Sequence, residues 1–217
     1  MIKLVIFDVD GVIIDSESLY IDLAMRISKS RGYNIPLEAI MATLGTNVKT
    51  NKDVILSFMG QDFDYEKYDN ELRIRWAEEK IDNPPDLKPG FIELISYLKQ
   101  NNIKTAFATS TEKERQYWNL NRLDVLKYFD YTVYGDEVKN SKPDPEIYLS
   151  VIKHFKYDLG EIIIIEDSAN GLLSALASGC KVIYCPDLAI VPKEIQDRVF
   201  KKVNCLTDCI DVINETN

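Results

Sequence analysis

The segment Leu4 to Phe7, read Leu-Val-Ile-Phe, is apolar at every position and lacks the alternation of a half-exposed strand. Such a strand must be covered on both faces, which is the situation of a parallel sheet packed between helices. Further apolar runs at Lys104 to Ala108, Tyr131 to Tyr134, Glu161 to Ile165 and Lys181 to Tyr184 join Leu4 to Val9 as strand candidates. Stretches of helical period lie at Phe91 to Lys99, Lys113 to Leu120, Pro145 to His154, Gly171 to Ala177 and Pro192 to Val199. Strand and helix in alternation predict an α/β fold with a parallel sheet.

The alternation stops between Asp15 and Pro89. Leu19, Leu23 and Ile27 recur every fourth residue, Val54, Ile55, Phe58 and Met59 form a second stripe, and Tyr68, Leu72 and Trp76 a third. These stripes predict an all-helical domain at 16–86, inserted after the first strand of a core made of 1–15 and 87–217. The return is marked by "DNPPDLKPG", whose prolines and glycine are loop chemistry.

Composition excludes several classes of function. The chain has 217 residues, 46% hydrophobic and 28% charged, enough to bury a core and an insertion. No apolar stretch approaches the roughly 20 residues that span a bilayer, and "MIKLVIFD" lacks the features of a signal peptide. The expectation is a cytoplasmic protein without a membrane partner. A net charge of −9, with no basic stripe to offset it, argues against nucleic acid. Cys180, Cys185, Cys205 and Cys209 form no CxxC pair and have no histidine nearby, so they read as reduced, small hydrophobes.

In open parallel sheets, ligands bind outside the carboxyl ends of the strands. Here those ends carry polar groups. The first run continues into Asp8, Asp10 and Gly11, "TAFATST" delivers Thr109 and Ser110, "VKNSKPDPEIY" brings Lys142, and "IIIIEDS" delivers Glu166 and Asp167. Each has an ordinary alternative. A calcium loop would put Gly sixth and Glu twelfth, whereas from Asp8 Gly11 is fourth and Leu19 twelfth. Asp167 with Ser168, Thr109, and Asp144 with Pro145 could simply start helices. Lys142 alone reads as a surface lysine, although Pro143 restricts its backbone. Glu166 beside Asp167 is harder to dismiss, because adjacent carboxylates at the end of an apolar strand repel unless positive charge lies between them.

As a set, in this order and spacing, "DVDGVIID", Thr109 in "FATST", Lys142 in "SKPDP" and "IIEDS" resemble the four signature motifs of the haloacid dehalogenase superfamily. The resemblance covers almost the whole chain. The helical insertion after the first motif is similar to the cap of the subgroup that includes β-phosphoglucomutase and many small-metabolite phosphatases. The implied fold is a Rossmann-like parallel core with that cap.

The resemblance implies a mechanism. Asp8 becomes the nucleophile that forms an aspartyl-phosphate, and Asp10 the general acid and then base, so their environments must separate their proton affinities. Asp8, Asp167, Glu166 and the backbone carbonyl of Asp10 are implied ligands of Mg²⁺. Thr109, the Ser110 N–H and Lys142 are implied to hold the phosphoryl oxygens. The implied substrate is a small phosphorylated metabolite. Cap residues 42–53, above all Thr46, Asn47 and Lys49, are the expected specificity segment, or else an ordinary solvated helix start. Tyr20 stands where β-phosphoglucomutase-like enzymes carry a histidine, and is expected to be a packed or substrate-facing aromatic. The reading is therefore a phosphatase, with a phosphoglucomutase-type transferase or a non-catalytic binding protein as alternatives. Dehalogenases need neither Asp10 nor magnesium, and phosphonate-cleaving relatives lack the second aspartate.

Overall fold

In this computed structural model the backbone is described for residues 1–44, 48–82 and 85–217, and the side chains for all of these except 48–49 and 79–82. The strands are β1 (Leu4–Phe7), β2 (Lys104–Ala108), β3 (Tyr131–Val133), β4 (Ile162–Glu166), β5 (Lys181–Tyr184) and β6 (Lys201–Lys202). They form one sheet in the order β3-β2-β1-β4-β5-β6, and every pairing is parallel. β1 lies between β2 and β4, where the strand order reverses, the place at which such sheets open a crevice.

The unalternating pattern of β1 has the expected cause. Val5 and Phe7 pack into a cluster with Phe91, Ile95, Phe107 and Ile165 on one face of the sheet. Leu4 and Ile6 enter a second cluster with Tyr148, Ile162, Ile164 and Leu172 on the other. Burial of each such side chain contributes about 1.5–3 kcal/mol, so β1 anchors both layers.

Helices α1 (Ser16–Arg31), α2 (Leu37–Met41), α3 (Val48–Met59) and α4 (Tyr65–Asp82) occupy the inserted segment. Helix α1 starts where Asp15 accepts a bond from the Ser18 N–H, and it ends at Gly32, whose φ of 68° is left-handed. The segment has its own cluster, with Leu23, Ile27, Ile40, Ile55, Tyr68, Leu72 and Trp76 buried. In the second stripe only Ile55 is buried, and Phe58 is 51% exposed. The two chain crossings between core and insertion are joined: Asp15 N–H donates to Asp86 O at 2.8 Å, Lys88 N–H to Ile13 O at 2.9 Å, and Ile14 pairs with Leu87 in an antiparallel bridge.

The core carries α5 (Phe91–Gln100), α6 (Lys113–Arg122), α7 (Glu146–Phe155), α8 (Ala169–Ala177), α9 (Lys193–Gln196) and α10 (Asp208–Thr216). Two expectations are corrected and two elements are added. The first strand stops at Phe7, because the chain turns at Gly11 and the Ile13 and Ile14 N–H groups both return to Val9 O. The helix expected at Pro192 to Val199 shortens to α9, and β6 and α10 were not anticipated. Among the described residues, no helix is long and apolar enough to cross a membrane.

Candidate active site

The ends of β1, β2 and β4 meet the loop before α7. Asp8, immediately after β1, is 7% exposed, and its N–H donates to Ile165 O at 3.0 Å, locking it to the neighbouring strand. Lys142 comes from the loop after β3 and donates through Nζ to Asp8 Oδ1, to Glu166 Oε1 at 2.7 Å and to Ala108 O at 3.2 Å. The ammonium also lies 4.8 Å from the Tyr148 ring centroid. Burial alone would lower the Lys142 pKa, but the charges of Asp8 and Glu166 hold it above its ordinary value. It is a buried cation with fixed partners.

Glu166 is fully buried and fully engaged. Its Oε1 accepts from Lys142 and, at 2.7 Å, from the Tyr148 hydroxyl. Its Oε2 accepts from the Asp167 N–H at 3.0 Å, the Ser168 N–H at 3.2 Å and the Ser168 hydroxyl at 3.3 Å. Burial would raise its pKa; Lys142 and these donors bring it below the ordinary carboxylate value. Gly171 makes room for the group, since a Cβ there would lie 1.9 Å from Glu166 Oε1.

Asp10 sits among neutral donors. Its Oδ1 accepts from the Ser16 hydroxyl at 2.6 Å, and its Oδ2 from the hydroxyls of Thr111 at 3.0 Å and Thr109 at 3.4 Å and from Gln116 Nε2 at 3.5 Å. Gln116 is fully buried and its Oε1 accepts from Asn119 at 3.3 Å, so helix α6 braces this carboxylate.

Asp167 is the opposite case. It is 1% exposed, and neither carboxylate oxygen has a partner among the described residues. Burial first, then Glu166, Asp8, Glu17 and Asp187, push its pKa well above the carboxylate range. Asp8 is raised too, by burial against the opposing pull of Lys142 and with the help of Glu166 and Asp10. Oxygens of Asp8, Glu166 and Asp167 lie within 4.8 Å of one another. One ammonium cannot neutralise this set, and an all-oxygen, orphaned, buried donor is what a hard divalent cation requires. The residues present therefore fit a metal, with Asp167 open to it and Glu166 already engaged. Gly11, at φ 85°, admits Asp167: a Cβ there would sit 2.2 Å from its Oδ2.

Of the other expected residues, Ser110 is exposed and its carbonyl packs on Gly135, where a Cβ would meet it at 2.1 Å. Tyr20 packs edge-on to Trp76 at 6.0 Å, its hydroxyl 3.3 Å from Thr43 Oγ1, at the border of the inserted cluster. Thr46 and Asn47 lie outside the described residues, and the Lys49 side chain does too. Sequence reasoning missed Ser16, Thr111, Gln116 and Tyr148. Ser16 adjoins the first quoted motif and Thr111 ends "FATST", so both could have been found by asking what solvates Asp10; Gln116 and Tyr148 carry no local signal. Also unforeseen is a second group in which Glu17, Asp167 and Asp187 offer oxygens within 4.8 Å of one another, with Lys88 bonded to Asp187 at 2.6 Å. Burial, Asp187 and Asp10 push the Glu17 carboxyl up to about 8.

Comparison with known proteins shows which chains this one is similar to. A phosphorylated carbohydrates phosphatase from Thermotoga maritima is 34% identical over 183 residues, covering 83% of each chain. A phosphoglycolate phosphatase from Nitrosospira multiformis is 28% identical over 192 residues, covering 85% of this chain and 83% of that one. A crystal structure of a Thermotoga maritima protein provisionally assigned as a β-phosphoglucomutase superposes with a TM-score of 0.79 at 28% identity, covering 99% of both chains. The sequence profile of haloacid dehalogenase-like hydrolases matches residues 5–185. With the sheet order, the strand-end acids and the buried lysine in place, the chain belongs to the haloacid dehalogenase-like hydrolase family.

Proposed function

We propose that the chain is a divalent-metal-dependent phosphatase that hydrolyses monoesters of small phosphorylated metabolites through a phosphoryl group carried on Asp8. The observation that carries this reading is the unequal treatment of the two acids at the end of β1: Lys142 binds Asp8, whereas hydroxyls and an amide hold Asp10. Asp8 attacks phosphorus, the bond from phosphorus to the ester oxygen breaks, and Asp10 gives its proton to the departing alkoxide. Water then attacks the aspartyl-phosphate, Asp10 takes its proton, and inorganic phosphate leaves. Lys142 and Thr109 face the phosphoryl oxygens, with the Ser110 N–H beside them.

Asp8, Asp167 and the backbone carbonyl of Asp10 would hold the cation, for which Mg²⁺ suits the oxygen donors, while Glu166 anchors Lys142. When bound, the cation supplies charge neutralisation and orientation of the phosphate. Residues 16–86 act as a cap that excludes water and, through 42–53, selects the substrate. Cytoplasmic residence agrees with four free cysteines and no disulfide among the described residues.

The structural likeness to a β-phosphoglucomutase-type protein supports phosphoryl transfer to a sugar as a second reading. Tyr20 argues against it, since burial raises its hydroxyl pKa above the ordinary tyrosine value and leaves it a poor proton carrier. Phosphate release from sugar phosphates, glycerol phosphate, phosphoglycolate and p-nitrophenyl phosphate, with Mg²⁺ and with EDTA, tests the proposal. Metal-dependent turnover of at least one small monoester is expected; no turnover of any, or turnover indifferent to EDTA, would refute it.

A further inference from the structure

Glu17 is the second residue of α1, at the entry to the inserted helices, yet it is only 8% exposed and its Oε2 has no partner among the described residues. A first-turn acid can complement the helix dipole from the surface and need not be buried for that. The cap of α1 is already supplied by Asp15, which accepts from the Ser18 N–H at 3.3 Å. Asp187, in the loop after β5, gives Oδ1 to Lys88 and leaves Oδ2 without a partner among the described residues. Both side chains face Asp167, with oxygens of the three residues within 4.8 Å of one another. An orphaned buried carboxylate is strongly unfavourable unless something donates to it.

We propose that Glu17 and Asp187 form an outer carboxylate ring around the cation held by Asp8 and Asp167, accepting hydrogen bonds from water molecules in its coordination shell. The inference rests on the metal reading above and extends it to residues that do not ligate the ion. Mg²⁺ gives up water reluctantly and keeps several waters when bound by one or two carboxylates. One water making two hydrogen bonds of about 2.8 Å spans up to roughly 5 Å between acceptors, enough to reach between oxygens that lie within 4.8 Å of one another. Because Glu17 belongs to α1 and Asp187 to the core, the hydrated ion ties the first inserted helix to the sheet. Glu17 and Asp187 are positioning residues.

Calorimetric titration of the metal-free protein with MgCl2 tests this, together with hydrogen exchange of α1 with and without Mg²⁺. Glu17→Gln and Asp187→Asn are expected to weaken Mg²⁺ binding about 10- to 100-fold. Mg²⁺ should slow exchange in α1 of the wild type, and Glu17→Gln should lose that protection while keeping it around Asp8 and Asp167. Thermal unfolding in EDTA checks that each variant is folded, and Glu17→Asp substitutes if Glu17→Gln is not. No Mg²⁺ uptake by the wild type would overturn the metal reading and this inference with it. Unchanged affinity and unchanged α1 protection in Glu17→Gln would overturn this inference alone. Two ions per wild-type chain falling to one in Glu17→Gln would also overturn it, by showing direct ligation.

Discussion

Gly171→Ala sets two physical expectations of opposite sign against each other. Gly171 lies inside α8, where propensity alone makes alanine better by about 1 kcal/mol. The structure says otherwise, because the new Cβ would fall 1.9 Å from Oε1, 2.0 Å from Cδ and 2.2 Å from Oε2 of Glu166. No rotation of the methyl group relieves a clash with a whole carboxylate. Glu166 would have to leave Lys142, Tyr148 and three donors of the Asp167–Ser168 turn, all in a fully buried site. Separating a buried ion pair costs about 3–5 kcal/mol, and overpacking costs a further 1–3 kcal/mol. After the propensity gain the net loss is about 3–7 kcal/mol, which lowers Tm by about 6–28 °C for a chain of this length. Thermal unfolding followed by circular dichroism in EDTA measures it without interference from metal. A Tm equal to or above that of the wild type would refute the assigned packing of Glu166.

Asp8→Asn should reduce phosphate release at least about 100-fold while the thermal transition persists, since an amide fills the same space but cannot carry a phosphoryl group; near-normal turnover would remove Asp8 as nucleophile. With β-glucose 1-phosphate and glucose 1,6-bisphosphate as primer, phosphorus NMR should show inorganic phosphate and no accumulation of glucose 6-phosphate; the reverse would favour the mutase. Asp130 accepts from Lys99, Lys104 and the Thr105 N–H at 2.7–3.0 Å; burial alone would raise its pKa, but these donors hold it well below the carboxylate range. Its contribution to stability is thus complete above the unfolded pKa of about 3.9 and is lost as pH falls toward the depressed folded value. Urea unfolding should separate Asp130→Asn from wild type more at pH 7 than at pH 2, and an equal separation would contradict the ion pair.

The parts of the site that could be read without a structure share one property: the informative pattern is local. An apolar run ending in Asp8, or in Glu166 and Asp167, announces a buried strand and a polar terminus within a few residues. Tyr148 and Gln116 reach the site from helical faces that look ordinary, because what matters is which strand end the helix passes. Gly171 read as a helix start; its tie to Glu166 depends on how closely α8 approaches β4. β6 escaped notice because Lys201 and Lys202 are an exposed pair at the sheet edge with no apolar signature. Phe58 shows the converse failure, since its spacing matches a buried stripe but its face of α3 points outward.

The paired crossings between core and insertion limit how the two can move. Two independent tethers would let the helical unit swivel about its own long axis. Here the bonds Asp15–Asp86 and Lys88–Ile13 join the tethers into a ribbon, with the Ile14–Leu87 bridge between them. A hydrogen-bonded ribbon bends more readily across its flat face than it shears sideways, because shear stretches the bonds between its strands. For the cap proposed above, opening by a bend of this ribbon would be favoured over sideways sliding. Closure of such a cap would then bring the same edge of the helical unit back over the strand ends, its aim set by the ribbon and not by a search through orientations.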